Sequence, residues 1–211
     1  MEASTNSTSI IEYNTFGEDV VSKLLVKYSY WDTQIKDCII EAFLRVMKML
    51  DHDSEQLNGI RVLDLWCGST VPKDLMETIQ VTSDRFKKIK IPDNIPYELF
   101  SIYSNNEVKH IRDYEPWFCR VLQEIGASPV GIDSGYLDEE FEHYALDLSQ
   151  KWVLDFLENN SFDFVIANGL FDSPHLNERF PKEKIDEMRI ELLNQSKRLL
   201  KNKDQKIECF W

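Results

Sequence analysis

Residues 61–70 read RVLDLWCGST, an apolar segment that runs into an acidic residue and then into a small, turn-forming loop. A strand followed by such a loop often begins a nucleotide-binding unit, because the tight turn lets the backbone approach the ligand closely. Loops of this kind usually carry several glycines, whereas here Trp66 and Thr70 stand at two of those positions and only Gly68 remains. The segment therefore predicts a buried strand that leads into an altered ligand-binding loop.

Further strand patterns follow this first one, and helical patterns separate them. The other predicted strands are residues 129–133, 143–147, 162–167 and 206–211. The predicted helices between them are residues 115–125, 150–158 and 181–199. Strands that alternate with helices pair in parallel through right-handed crossovers. The sequence therefore predicts an α/β fold, an open three-layer sandwich with a mostly parallel Rossmann-like sheet.

The rest of the chain divides into a leader, a helical segment and an insertion. Residues 1–12 are polar and lack the basic and apolar regions of a secretion signal, so we expect a flexible leader. Residues 13–58 carry two helical patterns and predict N-terminal helices that pack on the core. The α/β domain then spans residues 59–211, with a long insertion at 71–114. This insertion is either a lid over substrate or a helical embellishment, and the sequence does not distinguish the two.

Composition narrows the class of protein. The chain has 211 residues, of which 43% are hydrophobic, enough for a sizeable core. Its formal net charge of −13 argues against broad contact with nucleic acid phosphates. We expect a soluble, cytoplasmic protein with no membrane partner, because no apolar run is long enough to cross a bilayer. The four cysteines, Cys38, Cys67, Cys119 and Cys209, form no close-spaced pair, so we expect reduced, hydrophobic thiols and no metal site.

Polar side chains stand at or just beyond the ends of the predicted strands. They are Asp64, Asp133, Asp147 and Asn168. In open parallel sheets the ligand lies outside the carboxyl ends of the strands, near the point where the strand order reverses. We therefore expect these four groups to converge on one crevice.

This order of features resembles the class I S-adenosylmethionine-dependent methyltransferases, from about residue 60 to residue 211. Residues 63–69 look like the family's first motif, which passes under the methionine part of the cofactor. The resemblance implies that Asp64 orients that part and that the backbone of Cys67 and Gly68 approaches it closely. Gly68 lacks a side chain, which fits such a close approach.

The resemblance also implies roles for the later strand ends. Residues 131–133 look like the second motif, in which Asp133 accepts hydrogen bonds from both ribose hydroxyls, since a carboxylate offers several acceptor sites. Asp147 and Leu148 match the place where the family often holds adenine, through the acid and the following backbone amide. Residues 162–168 look like the fourth strand, which ends at Asn168, and substrate-facing residues usually lie beyond it.

Trp66 leaves three interpretations open. The indole lines the cofactor cleft, or it packs beneath the loop and leaves the backbone path intact, or it blocks the site. A nicotinamide-dependent Rossmann enzyme is a poorer match, because the chain has no Gly-x-Gly-x-x-Gly turn.

The sequence thus favours an S-adenosylmethionine-dependent methyltransferase with a small-molecule acceptor. Methyl transfer needs alignment more than it needs a catalytic side chain. For a hydroxyl or protonated amine acceptor, His175 is the best-placed general base, although a surface or core-capping role is commoner for a histidine. The alternative is a catalytically inactive methyltransferase-like subunit or scaffold. The chain stops after the fifth predicted strand, so homo- or hetero-oligomer contact through that sheet edge is a further hypothesis.

Overall fold

The structure is a computed structural model that describes most of the chain. The described residues are 5–28, 35–50, 58–70, 115–135, 137–167, 169–171 and 174–202. Within them the chain forms an α/β fold with five helices and four strands, and all four strands are parallel. The predicted insertion at 71–114 and the predicted fifth strand at 206–211 lie outside the described residues.

Among the described elements, two helices precede the first strand, one lies between the first and second strands, and two follow the fourth strand. The helices are α1 (Thr5–Lys27), α2 (Ile35–Met49), α3 (Trp117–Glu124), α4 (Pro174–Arg179) and α5 (Lys182–Leu199). The strands are β1 (Arg61–Leu65), β2 (Ser128–Asp133), β3 (Glu142–Ala145) and β4 (Phe164–Ile166). Each strand lies within two residues of its predicted bounds, so the first four predicted strands are confirmed. None of the described helices is both long and apolar enough to cross a membrane.

The strand order across the sheet is β3-β2-β1-β4. The chain builds outward from β1 in one direction through β2 and β3, and then returns to place β4 on the other side of β1. The reversal of strand order therefore falls between β1 and β4. In open parallel sheets, ligands bind beside such a reversal, at the carboxyl ends of the strands.

Both faces of the sheet are covered by helices. On one face, Val62 and Ile166 join the buried side chains of α1, α2 and α3 in a single core. On the other face, Leu63, Leu65 and Val165 pack with the buried side chains of α5. Neighbouring residues of a strand point to opposite faces, which explains why successive residues of β1 join different cores. The described elements thus form three layers, helices on either side of a parallel sheet.

The first helix extends further toward the amino terminus than the sequence predicted. It begins at Thr5, so residues 5–12 of the expected flexible leader belong to α1. Polar composition does not prevent this, because a helix that already exists lengthens by one hydrogen bond per added residue without a new nucleus.

The helix predicted at residues 150–158 is wrong. The segment forms consecutive turns, and Trp152 within it has a positive φ of 55°. Its backbone groups bond to side chains of α5: the amide of Leu154 donates to Gln195 Oε1 at 2.9 Å, and Arg198 donates to the carbonyls of Leu154 and Leu157 at 2.8 and 2.9 Å. Tertiary contacts thus replace the helical hydrogen bonds that the sequence spacing indicated.

Candidate functional site

The loop after β1 stays attached to the end of β2. Register pairs Asp64 with Gly131 and Leu65 with Ile132, so the two strands end side by side. Beyond the strand, the amides of Trp66 and Cys67 both donate to the carbonyl oxygen of Ile132, at 2.7 and 3.1 Å. The loop is therefore held across the carboxyl edge of the sheet, where parallel sheets place their ligands.

Trp66 takes a backbone conformation that favours glycine. Its φ is +87°, and Gly68 two residues later has a φ of +95°. The loop thus follows the path of a glycine-containing turn although the first position carries an indole. The Trp66 side chain is half-buried and packs against the core on the α5 face of the sheet. This agrees with the interpretation in which Trp66 packs under the loop and leaves the backbone path intact.

Asp133, the predicted ribose-binding acid, is buried at the end of β2 with a relative exposure of 1%. Its Oδ1 accepts from Ser69 Oγ at 2.9 Å and from the Gly135 amide at 2.8 Å, and its Oδ2 accepts from the Gly68 amide at 3.2 Å. Burial raises the pKa of this carboxyl, and these hydrogen bonds, together with one from the backbone of Ser134, oppose that rise. Asp133 therefore joins the loop after β1 to the loop after β2.

Asp64 is the second buried acid at this edge, also 1% exposed. Its Oδ2 accepts from Cys119 Sγ of α3 at 3.7 Å, while Oδ1 has no hydrogen-bond partner among the described residues. Burial raises the pKa of Asp64 to about 7; the Cys119 hydrogen bond acts against this and the negative charge of Asp133 adds to it. A cation placed beside Oδ1 would favour the ionised carboxylate.

Two buried thiols, Cys67 just after β1 and Cys119 in α3, also lie at this end of the sheet. Cys67 and Cys119 are buried with Leu137 and Phe141 in a small cluster. Burial raises the pKa of the Cys119 thiol to about 11 and that of Cys67 well above its ordinary value, so both are protonated at neutral pH. Their small hydrophobic role is the one the sequence predicted for them.

The predicted adenine-binding residues follow β3 but lie in different environments. Asp147 is partly exposed, accepts from the Ser149 amide at 2.9 Å and pairs with Arg179 of α4 at 3.3 Å. Burial acts to raise the pKa of Asp147, but the Ser149 hydrogen bonds and the Arg179 charge outweigh it and hold that pKa below its ordinary value. Leu148 is buried in the core on the α5 face. The structure therefore brings Asp64, Cys67, Gly68 and Asp133 together. Asp147 follows Leu146, whose amide donates to the Asp133 carbonyl.

A buried arginine, which the sequence did not suggest, supports the same edge. Arg120 of α3 is 1% exposed and forms ion pairs with Glu115 and Glu139. Its guanidinium also lies 4.0 Å from the ring centre of Tyr28 and 4.5 Å from that of Trp117. Burial disfavours the charged guanidinium, but the two carboxylates outweigh it and raise the pKa of Arg120.

Glu139 connects this arginine to the loop after β1. Arg120 donates to its two oxygens at 3.2 and 2.5 Å, and Thr70 Oγ1 donates to its Oε1 at 2.7 Å. Thr70 in turn accepts from the amide of Asp138 at 3.2 Å. The threonine that stands in a glycine position is thus a contact point between the two loops. The available signal for this cluster was a single charged residue in the otherwise apolar run of residues 117–122.

Two predicted residues lie at or beyond the limits of the description. Asn168 falls outside the described residues, and His175 lies in α4 with its side chain outside them. Among the described residues, no three His, Cys, Asp or Glu side chains are grouped to hold a metal ion.

Comparisons of the chain with protein-family models, with curated proteins and with solved structures find no match.

Proposed function

We propose that this chain is a class I methyltransferase-like domain that binds S-adenosylmethionine and methylates a small-molecule acceptor. The observation that carries the proposal is the pair of buried acids, Asp64 and Asp133, at the adjacent ends of β1 and β2 with a glycine-like loop between them. The reversal of strand order beside β1 is the place where open parallel sheets bind nucleotides.

Asp64 suits a cationic ligand. Its Oδ1 is buried and lacks a hydrogen-bond partner within the described part of the chain, and an unsatisfied buried carboxyl is costly. The cofactor carries a positive sulfonium and an amino group, which would supply both charge and a donor. Asp64, with the backbone of Cys67 and Gly68, would hold the methionine part, and Trp66 would support the loop from below.

The remaining contacts follow the order of the strands. Asp133 would accept the ribose hydroxyls, Asp147 the adenine amino group, and the Leu148 amide the ring, with Asn168 at the end of β4. When bound, S-adenosylmethionine supplies an activated methyl group. The protein aligns the acceptor and excludes water, and His175 would take a proton where the acceptor is a hydroxyl or an amine.

Titration calorimetry with the demethylated product, S-adenosylhomocysteine, tests the proposal. The Asp133→Ala variant should bind roughly 10- to 100-fold more weakly, because two hydrogen bonds to a charged acceptor are lost. Asp163→Ala is the matched control. The Asp163 carboxylate accepts from the amide of Arg61 at the start of β1, so it lies at the amino ends of the strands, opposite the proposed site. Absence of binding to the unmodified chain at millimolar ligand would exclude the enzyme. Unchanged affinity in Asp133→Ala would show that Asp133 does not bind the ribose.

A catalytically inactive subunit or scaffold is the second candidate function. It is favoured by the hydrogen bonds that the loop itself makes to Asp133, since they occupy acceptor sites that a cofactor would use. This candidate requires a stable complex with a partner or a second copy and no cofactor binding. Size-exclusion chromatography with light scattering, combined with the titration above, separates the two: a monomer that binds S-adenosylhomocysteine supports the enzyme.

A further inference from the structure

The loop after β1 offers Asp133 the same kind of donor that a ribose would. Ser69 Oγ donates to Asp133 Oδ1 at 2.9 Å, and both residues are at least 98% buried. A carboxylate has about four acceptor positions. Ser69, Gly68 and Gly135 fill three of them, and the backbone of Ser134 also hydrogen-bonds to the carboxylate. A diol that needs two positions on Asp133 must therefore displace at least one of these donors.

Ser69 is the donor most easily displaced. The amide of Gly135 lies two residues from Asp133 on the same loop and cannot leave without a change in that loop's backbone. The amide of Gly68 is fixed in a turn with positive φ. The Ser69 hydroxyl, in contrast, is carried by one rotatable side-chain bond.

The fit of Ser69 depends on a glycine. A Cβ built on Gly135 would lie 1.9 Å from Ser69 Oγ and 2.8 Å from Ser69 Cβ, far inside van der Waals contact. Nothing larger than glycine at position 135 permits this approach. A second contact between the same two loops, Thr70 Oγ1 to Glu139 at 2.7 Å, holds the next residue in place.

We propose that the Ser69–Asp133 and Thr70–Glu139 contacts form an autoinhibitory clasp. In this clasp, the Ser69 hydroxyl occupies the ribose position on Asp133 and must leave when a nucleoside binds. The proposal rests on the proposed function, because it assigns Asp133 to a ribose. The clasp satisfies a buried carboxylate while no ligand is bound, and it lowers affinity for the ligand by the free energy of the displaced hydrogen bond.

Binding of adenosine and of 2′,3′-dideoxyadenosine to the Ser69→Ala variant tests the clasp. The variant should bind adenosine about tenfold more tightly than the unmodified chain, since no hydroxyl competes for Asp133. It should show no gain for dideoxyadenosine, which lacks the 2′ and 3′ hydroxyls that would take the vacated position. Ser161→Ala is the matched control, because Ser161 Oγ donates to the carbonyl of Glu158, away from this edge.

The outcomes separate the two proposals. Equal adenosine affinity in Ser69→Ala and the unmodified chain overturns the clasp and leaves the proposed function standing. An equal gain for both nucleosides also overturns the clasp, because the effect would not involve the ribose. Failure of every variant to bind adenosine and S-adenosylhomocysteine overturns the proposed function and the clasp with it.

A ligand-independent measurement tests the contact itself. The pKa of the Asp133 carboxyl, followed by carbon-13 NMR, should rise in Ser69→Ala, because a hydrogen bond to the ionised form is lost. The other charged groups near Asp133, which are Asp64, Asp147 and the Arg120–Glu139 pair, are the same in both proteins, so they do not account for a difference. An unchanged Asp133 pKa in a folded variant would overturn the clasp.

Discussion

Trp66 stands at a position where its backbone is strained. A φ of +87° places a large L residue in the left-handed region, at a cost of about 1–2 kcal/mol. Packing of the half-buried indole against the α5-face core offsets that cost. Such strain commonly persists at functional sites, where the surrounding contacts determine the backbone.

Comparison of two Trp66 variants isolates the backbone strain. Both Trp66→Gly and Trp66→Ala lose the indole, but glycine accepts a positive φ, so the glycine variant should be about 1 kcal/mol more stable in urea unfolding. Ile190 is the control, since it is 61% exposed on α5. There the order should reverse, because glycine destabilises a helix interior by about 1 kcal/mol relative to alanine. An alanine variant at position 66 as stable as the glycine variant would contradict the strained backbone.

Asp64 should make stability depend on pH. Its pKa is about 7 in the folded chain, above the ordinary 3.8, so the native state holds the proton more tightly than the unfolded chain does. The stabilisation is complete below pH 4 and is lost as the pH rises through 7. Asp64→Asn removes this titration, so its stability relative to the unmodified chain should increase by on the order of 2 kcal/mol between pH 5 and pH 8. Urea unfolding at several pH values measures this difference, and a constant difference would refute the raised pKa.

At the scale of elements, α3 connects the N-terminal helices to the loops at the sheet edge. Trp117 and Phe118 belong to the core shared with α1 and α2, whereas Arg120 reaches Glu139 in the segment between β2 and β3. Tyr28, just after α1, packs edge-on against Trp117 with ring centres 5.4 Å apart. The position of α3 therefore fixes both the helical layer and the acid that contacts Thr70.

Replacement of Arg120 should be strongly destabilising. Arg120→Met leaves two buried carboxylates, Glu115 and Glu139, without their shared cation, which typically costs about 3–5 kcal/mol. Arg45→Met is the control, because Arg45 forms an exposed pair with Glu41 one turn away on α2, worth about 0.3–0.5 kcal/mol. Chemical denaturation of both variants gives the comparison. Similar losses at the two positions would show that the buried cluster contributes no more than a surface pair.

The elements themselves were largely predictable from local sequence. Apolar runs and turn residues gave the four described strands, and Gly126, with a φ of +92°, marks the stop after α3 as expected. The turns at residues 150–158 were not predictable, because side chains of α5, about 40 residues later, bond their backbone. Trp152 and Phe156 keep helical spacing but are 66% and 53% exposed, and the buried side chains of this segment are Leu154 and Leu157 instead.

At the scale of the whole molecule, β1 is an interior strand of the sheet. It pairs with β2 on one side and β4 on the other, and its side chains enter both cores. In the described sheet, β3 pairs with β2 alone. The two strands therefore differ in how much of the structure must open before their amides reach solvent.

Hydrogen exchange should report this difference. We expect the amides of β1 to exchange at least about tenfold more slowly than those of β3, because opening of an interior strand requires loss of both cores. Exchange measured by NMR or mass spectrometry on the folded chain gives the comparison. Equal protection of β1 and β3 would contradict the strand order.

The sequence by itself determined the α/β class, the parallel strands and the two acids at their ends, because hydrophobic period and turn residues act over a few neighbouring positions. Only the tertiary structure decided which groups hydrogen-bond to these acids within the described chain. Asp133 accepts a hydrogen bond from Ser69, 64 residues away in the chain, and Asp64 accepts one from Cys119, 55 residues away. Such contacts depend on register and on how closely loops approach, and local sequence encodes neither. The strain at Trp66 and the burial of Arg120 arise for the same reason.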